Sequence, residues 1–267
     1  MTLKNLARSV HARLPAGPLR NFLSVLAYRC FYRSALADCA WRNGRFEVRT
    51  VDGTFVVSER EFDPAPLVED FAGIEFRPDM VALDVGANIG AVACWMARRI
   101  GPPGRVVVFE PDPDNLAVLR RNLALNGVSN VTVVARGAWD RPGELEFHAG
   151  GGYTSSFCRT SYVRARPERY RVVRVPVTTI DAEAAVLGLP RVDLIKMDIE
   201  GGEGPALRGA AGTLRRWRPV VIVESHVVDG RPTVGDIVDA LRDAGYDCID
   251  VRPDRETSVV TARRPVV

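Results

Sequence analysis

The sequence predicts an α/β fold built on a doubly wound, mostly parallel sheet, on three observations. From Pro78 onward, continuous β-branched runs alternate with helical stretches, the pattern of strands covered on both faces. The first such run, Val81-Ala-Leu-Asp-Val-Gly-Ala-Asn-Ile-Gly90, closes on a glycine-bearing turn that opens a helix. The last two runs, "CIDVR" and "SVVTARR", are joined only by the short polar "PDRETS" and so predict an antiparallel hairpin at one sheet edge.

Taken in order, residues 1 to about 42 read as helical, punctuated near Pro15-Ala-Gly-Pro18. "RFEVRTVDGTFVVSE" alternates apolar and polar residues around Asp52-Gly53, a hairpin signal, and "PAPLVEDFAG" reads as a short helix. Residues 1–74 thus form an extension of helix and hairpin packed on a core domain of residues 75–267. In that domain "VALDVG" is a strand, Asn88 to about Arg99 a helix, and "RVVVFEP" the next strand. "PDNLAVLRRNLALNG" is an amphipathic helix and "VTVVARGAWD" a third strand. Residues 141 to about 190 interrupt the alternation: "ELEFHAG" and the arginine-dense segment after it look like strands flanking a mobile glycine-rich loop near the ligand face. The alternation then resumes with "VDLIKMDIEG" (strand), "GPALRGAAGTLRRW" (helix), "RPVVIVES" (strand) and "TVGDIVDALRDAGY" (helix).

Composition narrows the function. A hydrophobic content of 46% supports a sizeable core, and a formal charge of +3 is too small to imply nucleic acid as a partner. Five dispersed cysteines without a CxxC argue against disulfides and structural zinc and suit a reducing cytoplasm. The N-terminal stretch has no continuous apolar run before a small-residue cleavage site, so no secretory signal is expected, and "FLSVLAYRCFYRSALADCAW" is interrupted by Arg29, Arg33 and Asp38, which predicts that it is no membrane span. Such a segment is compatible with packing on its own domain, with weak membrane-surface contact, or with a partner subunit, including a second copy of the chain.

The turn after the first core strand selects the ligand. In open α/β sheets ligands bind beyond the carboxyl ends of the strands. A dinucleotide fingerprint needs a second glycine where Asn88 stands, there is no GK[ST], and Asp84 would repel a phosphate. A phosphate-free ligand with a cationic portion fits, and S-adenosylmethionine carries a sulfonium and an ammonium group. Glu110, ending the next strand, can accept hydrogen bonds from both ribose hydroxyls.

"LDVGANIG", "FEPDPDNLAVLRRNLALNG", "ARGAWD" and "VDLIKMDIEGGE" together resemble the successive motifs of the FkbM-type S-adenosylmethionine-dependent methyltransferases, over about residues 75 to 225. The resemblance implies a seven-stranded class I methyltransferase fold and methyl transfer, usually to a hydroxyl oxygen. It places Asp84, Gly86, Ala87, Asn88 and Gly90 along the methionine end of the donor, with Asp198 near it, and Glu110 on the ribose. Pro111 and Asp112 would flank the adenosine, and Gly137 and Ala138, with Trp139, would lie beside the adenine.

Methyl transfer is an in-line displacement, so alignment supplies much of the acceleration, and a base or metal that lowers the acceptor's pKa adds to it. "DLIKMDIEGGE" ends with Asp198, Glu200 and Glu203 at the ligand-facing edge, and "VVIVESH" ends with Glu224 and His226 on one face. These strand ends predict His226 as general base, with Asp198 and Glu224 as its catalytic partners; the bland alternative is that Glu224 and His226 only satisfy hydrogen bonds at a strand end. Asp198, Glu224 and His226 also offer donors to a divalent ion, but their spacing follows no metal-ligand pattern and no metal is predicted. Lys196, mid-strand, reads as one half of a structural ion pair. Arg159, Arg164, Arg166, Arg169, Arg171 and Arg174 read as a solvated face, with recognition of an acidic acceptor as the alternative; His148 and Tyr153 flank the glycine run as pocket or surface residues. The expectation is a cytoplasmic O-methyltransferase acting on a hydroxyl of a sugar, glycan or specialised metabolite. A catalytically silent donor-binding protein and an NAD-dependent enzyme are the alternatives, the latter opposed by Asn88.

Overall fold

A computed structural model of the chain describes residues 17, 22, 25, 36–42, 45–50, 53–57, 71, 73–150, 154–254 and 257–263. β1 (Leu36–Arg42), β2 (Arg45–Thr50) and β3 (Gly53–Val57) form an antiparallel meander, and Thr50 pairs with Gly53 at the predicted turn, whose Asp52 lies outside the described residues. The expected helix running to residue 42 is corrected here, since its end is strand β1. Cys39 faces Val48 and Trp41 faces Phe46 across that pairing, with the two rings 5.7 Å apart, and cross-strand burial overrides a modest helical propensity. The rest of that helix, apart from helical backbone at Phe22 and Val25, lies outside the described residues, as does most of "PAPLVEDFAG".

The core begins with β4 (Val81–Val85), α1 (Ala91–Ile100), β5 (Arg105–Phe109), α2 (Pro113–Leu125) and β6 (Val131–Val134). β7 (Gly137–Ala138), β8 (Gly143–Ala149), the short α3 (Ser161–Ala165) and β9 (Arg171–Thr178) follow. Next come α4 (Ile180–Val186), β10 (Leu194–Met197), α5 (Glu203–Arg208), α6 (Ala211–Trp217) and β11 (Val220–Ser225). The two-residue strands β12 (Val227–Val228) and β13 (Arg231–Pro232), then α7 (Val234–Asp243), β14 (Cys248–Asp254) and β15 (Thr257–Arg263), complete the described chain.

Seven strands make one mixed sheet in the order β14-β15-β11-β10-β4-β5-β6. Only β15 runs against its neighbours, and the terminal hairpin closes one edge as predicted. One face is covered by α1, α2 and the N-terminal meander through Trp95, Met96, Ile100, Leu119, Phe46 and Phe55. The other is covered by α4 to α7 through Ile180, Leu207, Leu214, Ile237 and Leu241. β4 is buried along its whole length, which explains why its sequence shows no alternation.

Three expectations differ in detail. "VTVVARGAWD" is two strands in two sheets: β6 ends the main sheet, whereas β7 pairs with β9, itself paired with β8. The helix expected over "GPALRGAAGTLRRW" breaks at Gly209, where a Cβ would lie 2.0 Å from the Trp139 carbonyl oxygen. α4 was not expected; the Thr179 hydroxyl caps it by accepting from Ala182 N.

The exposed edge of β3 is met by side chains of α2 rather than by a strand. Asn122 Oδ1 accepts from Val56 N at 2.7 Å, and its Nδ2 donates to Val56 O at 3.2 Å and to Ile89 O at 2.8 Å. One turn later, Asn126 pairs with Thr54 N and O in the same way. Two amides at i and i+4 thus imitate the peptide groups of a missing strand, and Asn122 also fixes the glycine turn after β4. Asn122→Ala strands these buried backbone groups and is expected to lower unfolding free energy by about 3 kcal/mol. The loss from Asn126→Ala, at a half-buried site, is about 1 kcal/mol. Urea titration of the two variants checks the ranking.

Candidate active site

The carboxyl ends of β4, β5, β10 and β11 meet at the turn after β4. Gly86 (φ 86°), Asn88 (φ 50°) and Gly90 (φ 83°) all have left-handed backbone, and the turn is held by Gly86 N and Ala87 N, which both donate to Phe109 O. α1 therefore starts at Ala91, three residues later than the sequence pattern suggested.

Two buried carboxylates stand under this turn. Asp84 is fully buried, and neither of its oxygens has a hydrogen-bond partner. Lys196, opposite it on β10, is 3.8 Å from Oδ1, within ion-pair range but beyond hydrogen-bond distance. Burial raises the Asp84 pKa to about 6 against the opposing pull of Lys196. Lys196 Nζ also lies 3.6 Å from Asp198 Oδ2, the structural pairing its sequence position suggested. Glu110 bridges two loops: Oε2 accepts from Asn88 N at 2.7 Å and Oε1 from Asp112 N at 2.9 Å. Burial pushes its pKa up to about 7 despite these hydrogen bonds. The Asn115 side chain also hydrogen-bonds this carboxylate, which keeps some acceptor capacity for a further donor.

The other expected donor-site positions differ in availability. Pro111 is half-buried. Asp112 caps α2 by accepting from Asp114 N and Asn115 N, while its Oδ2 accepts from the Ser155 hydroxyl at 2.8 Å. Ala138 is buried, and a Cβ on Gly137 would lie 2.3 Å from the Phe157 ring. The same ring packs on Trp139 and Phe147. Residues 154–160 cross this end of the sheet and are pinned to it: Ser155 holds Asp112, and Ser156 donates to Glu200 O at 2.6 Å. Tyr153 lies outside the described residues, and His148 is half-buried in β8, its backbone paired with Ser156. Arg159, Arg164, Arg166, Arg169, Arg171 and Arg174 are all exposed; Arg164, Arg171 and Arg174 pair with Asp229, Asp114 and Glu144.

Beyond the turn lies a cluster of acids around one imidazole. His226 is buried; its Nδ1 is 3.0 Å from Glu203 Oε1, and its Nε2 is 3.5 Å from Asp198 Oδ1 and 3.7 Å from Glu200 Oε2. Glu203 is fully buried and also accepts from Gly201 N at 2.9 Å and Ile199 N at 3.3 Å. Burial lowers the imidazole pKa, but the Glu203 hydrogen bond and the charges of Asp198, Glu203 and Glu200 outweigh it and bring it to about 10. These acids favour the protonated ring, whereas the general-base role expected of His226 uses the neutral one. Asp198, with a side chain 31% exposed, is the cluster's most open carboxylate. Glu224 is half-buried on β11, where burial and the neighbouring Asp198 raise its pKa to about 7.

Sequence reasoning placed Glu200 and Glu203 at this edge but gave them no role. What brings them to the imidazole is the turn after β10, in which Glu200 (φ 56°) and Gly201 (φ 103°) take left-handed backbone. The Gly-Gly pair at 201–202 was the available signal.

A family model described as a methyltransferase FkbM domain matches residues 84–248. Methyltransferase sdnD of Sordaria araneosa is 31% identical over 228 residues, covering 73% of this chain and 85% of its own length. The 31-O-demethyl-FK506 methyltransferase FkbM of Streptomyces tacrolimicus is 28% identical over 204 residues, covering 66% and 76%. The chain spans only 10% of another relative, the AMB antimetabolite synthetase AmbE of Pseudomonas aeruginosa. Among solved structures, the methyltransferase FkbM of Methylobacillus flagellatus aligns with a TM-score of 0.53 at 20% identity, over 97% of this chain and 58% of that one, a likeness of fold. With a family model spanning more than half of the sequence and a relative of 31% identity matched over most of its length, the chain belongs to the FkbM methyltransferase family.

Proposed function

We propose that the chain transfers a methyl group from S-adenosylmethionine to a hydroxyl oxygen of a sugar or other specialised metabolite. The observation that carries the reading is Asp84: a fully buried carboxylate whose oxygens accept no hydrogen bond and meet Lys196 only at 3.8 Å, beneath a left-handed glycine turn, fits a cationic, phosphate-free ligand. Glu110, a buried carboxylate with acceptor capacity beyond its bonds to Asn88, Asp112 and Asn115, fits a ribose diol. Asn88, whose Oδ1 is buried without a partner, adds a second acceptor at the turn. The chemistry supplied by the bound donor is a methyl on a sulfonium: the oxygen–carbon bond forms as the carbon–sulfur bond breaks, the electron pair stays on sulfur, and the hydroxyl proton leaves.

The chain's own contribution is positioning and charge. Asp84, Gly86, Ala87, Asn88, Gly90 and Glu110 hold the donor, with Pro111, Asp112, Gly137 and Ala138 toward its adenosine end. Asp198 and Glu224 face the acceptor side and take up or relay its proton, while His226, fixed by Glu203, orients Asp198. Residues 75–267 form the transfer domain, the insertion at 141–190 shapes the acceptor side, and the meander β1–β3 braces α2 and the turn. Four cysteines among the described residues (Cys39, Cys94, Cys158 and Cys248) are free thiols, which supports a reducing, cytoplasmic setting. Among the described residues, no helix is long and apolar enough to cross a membrane.

The test is incubation of the purified chain with S-adenosylmethionine and a panel of sugar and polyketide hydroxyl acceptors, following S-adenosylhomocysteine. Product with an acceptor-dependent rate is expected. Tight donor binding with no turnover on any acceptor would favour the silent-binder alternative, which the complete set of acids disfavours.

A further inference from the structure

The geometry points to a divalent-cation site made by Asp198 Oδ1, Glu200 Oε2 and His226 Nε2, beside the donor turn. These three atoms lie within 4.8 Å of one another, with Nε2 at 3.5 Å from Asp198 and 3.7 Å from Glu200. Ligands about 2.1 Å from a shared ion stand roughly 3.0–3.4 Å apart, so the imidazole's two separations need only a few tenths of an ångström of contraction, while the two carboxylates, within 4.8 Å of one another, close on the ion by side-chain rotation.

Two independent features mark it as more than a cluster of acids. Glu200 is 8% exposed, and its Oε2, aimed at the imidazole, is buried with no hydrogen-bond partner. The imidazole nitrogen, at 3.7 Å, is too far to hydrogen-bond it, and a cation bound between the two would meet that oxygen directly. The second feature is the far side of the ring. Glu203 Oε1 sits 3.0 Å from Nδ1 and is itself fixed by two backbone N–H groups, which keeps hydrogen on Nδ1 and directs Nε2 toward Asp198 and Glu200, so that a cation arriving there displaces the Nε2 proton. A carboxylate–imidazole pair oriented in this way is how proteins commonly prepare a histidine for a metal.

Two carboxylates and one imidazole balance a 2+ charge and suit Mn²⁺ or Zn²⁺ better than an all-oxygen ion such as Ca²⁺. Asp198 Oδ2 is turned instead to Lys196, so the aspartate links the cation site to Asp84. Three protein ligands leave coordination positions open, and the half-exposed side at Asp198 is where an acceptor hydroxyl would enter. Resting on the methyl-transfer reading, the cation's role is to draw electron density from that oxygen so that its proton passes to Glu224 before the oxygen–carbon bond forms.

The experiment uses the full chain stripped with EDTA and titrated with MnCl₂, read by the loss of free-Mn²⁺ electron paramagnetic resonance signal, and with ZnCl₂ by calorimetry. One ion per chain is expected. Glu200→Gln and His226→Gln should each weaken it at least tenfold, and Glu144→Gln, at an exposed arginine pair, should leave it unchanged. Circular dichroism and S-adenosylhomocysteine titration verify that each variant is folded. Absence of stoichiometric binding, or binding indifferent to both substitutions in folded protein, overturns the site. Full transfer by stripped protein overturns the activating role but leaves the transfer reading intact. Cation binding without any affinity for S-adenosylhomocysteine overturns the transfer reading and leaves the site.

Discussion

Asp84→Asn is expected to raise the unfolding midpoint of the ligand-free chain while lowering affinity for S-adenosylmethionine about 100-fold. Both effects have one cause. The carboxylate is fully buried with no hydrogen bond, and its pKa rises from 3.8 to about 6. Ionising it in the folded chain at pH 7.5 therefore costs about 3 kcal/mol relative to the unfolded chain. An asparagine amide is also unsatisfied there, at roughly 2 kcal/mol, so the net gain is about 1 kcal/mol, or about 2–4 °C in Tm. Lys196 keeps Asp198 as its partner at 3.6 Å. Binding suffers because the sulfonium and ammonium groups lose a desolvated counter-charge worth about 2.7 kcal/mol.

The pH dependence has opposite signs for folding and binding. Because burial raises the folded pKa values of Asp84 and Glu110, their contribution to stability is fully present below the unfolded values and is lost as pH rises through about 6 and about 7. Binding needs both groups ionised, so affinity rises over that same interval. Calorimetry between pH 5.5 and 7.5 should show this rise in the wild type and its lower limb missing in Asp84→Asn. A variant that is destabilised and binds normally would contradict the assignment.

Which parts were legible in the sequence follows from the range over which each signal acts. The strand–turn–helix order was readable because buried parallel strands need unbroken apolar runs, and "VALDV" and "RVVVF" have them. Asp84 and Glu110 were readable because a strand end and a glycine turn fix their position locally. What stayed hidden was set by distant partners. β1 is a strand because β2 offers Val48 and Phe46 to Cys39 and Trp41, and nothing within Leu36–Arg42 announces that. The asparagines of α2 look like ordinary helix-surface residues until the edge of β3 arrives. At the acid cluster, the sequence paired His226 with Glu224 by strand alternation. But His226 follows the last residue of β11, so its ring is directed by Glu203 and not by the pleat. That contact spans 23 residues and depends on the left-handed Glu200-Gly201 turn.

Gly86→Ala is expected to abolish donor binding and to remove several kcal/mol of stability, whereas Gly127→Ala should cost about 1 kcal/mol and leave binding unchanged. Both glycines have positive φ, 86° and 62°, so both substitutions carry the left-handed penalty of about 1–2 kcal/mol. Space separates them. Nothing lies within 4 Å of a Cβ at Gly127, the residue after the C-cap of α2. A Cβ at Gly86 would stand 1.9 Å from the Asp198 carbonyl oxygen and 2.9 Å from Ile199 Cγ2. The obstacle is backbone, which cannot swing aside as a side-chain tip does. Asp198 N donates to Val85 O at 3.0 Å, so relieving the clash means parting β4 from β10 at their carboxyl ends. That movement would carry Asp198 away from both Lys196 and His226. The same substitution therefore strikes the donor turn and the acid cluster together, through one contact. Denaturant unfolding and S-adenosylhomocysteine calorimetry on the two variants separate the shared conformational penalty from the clash. Equal behaviour of the pair would mean that β4 and β10 are not held this closely at the site.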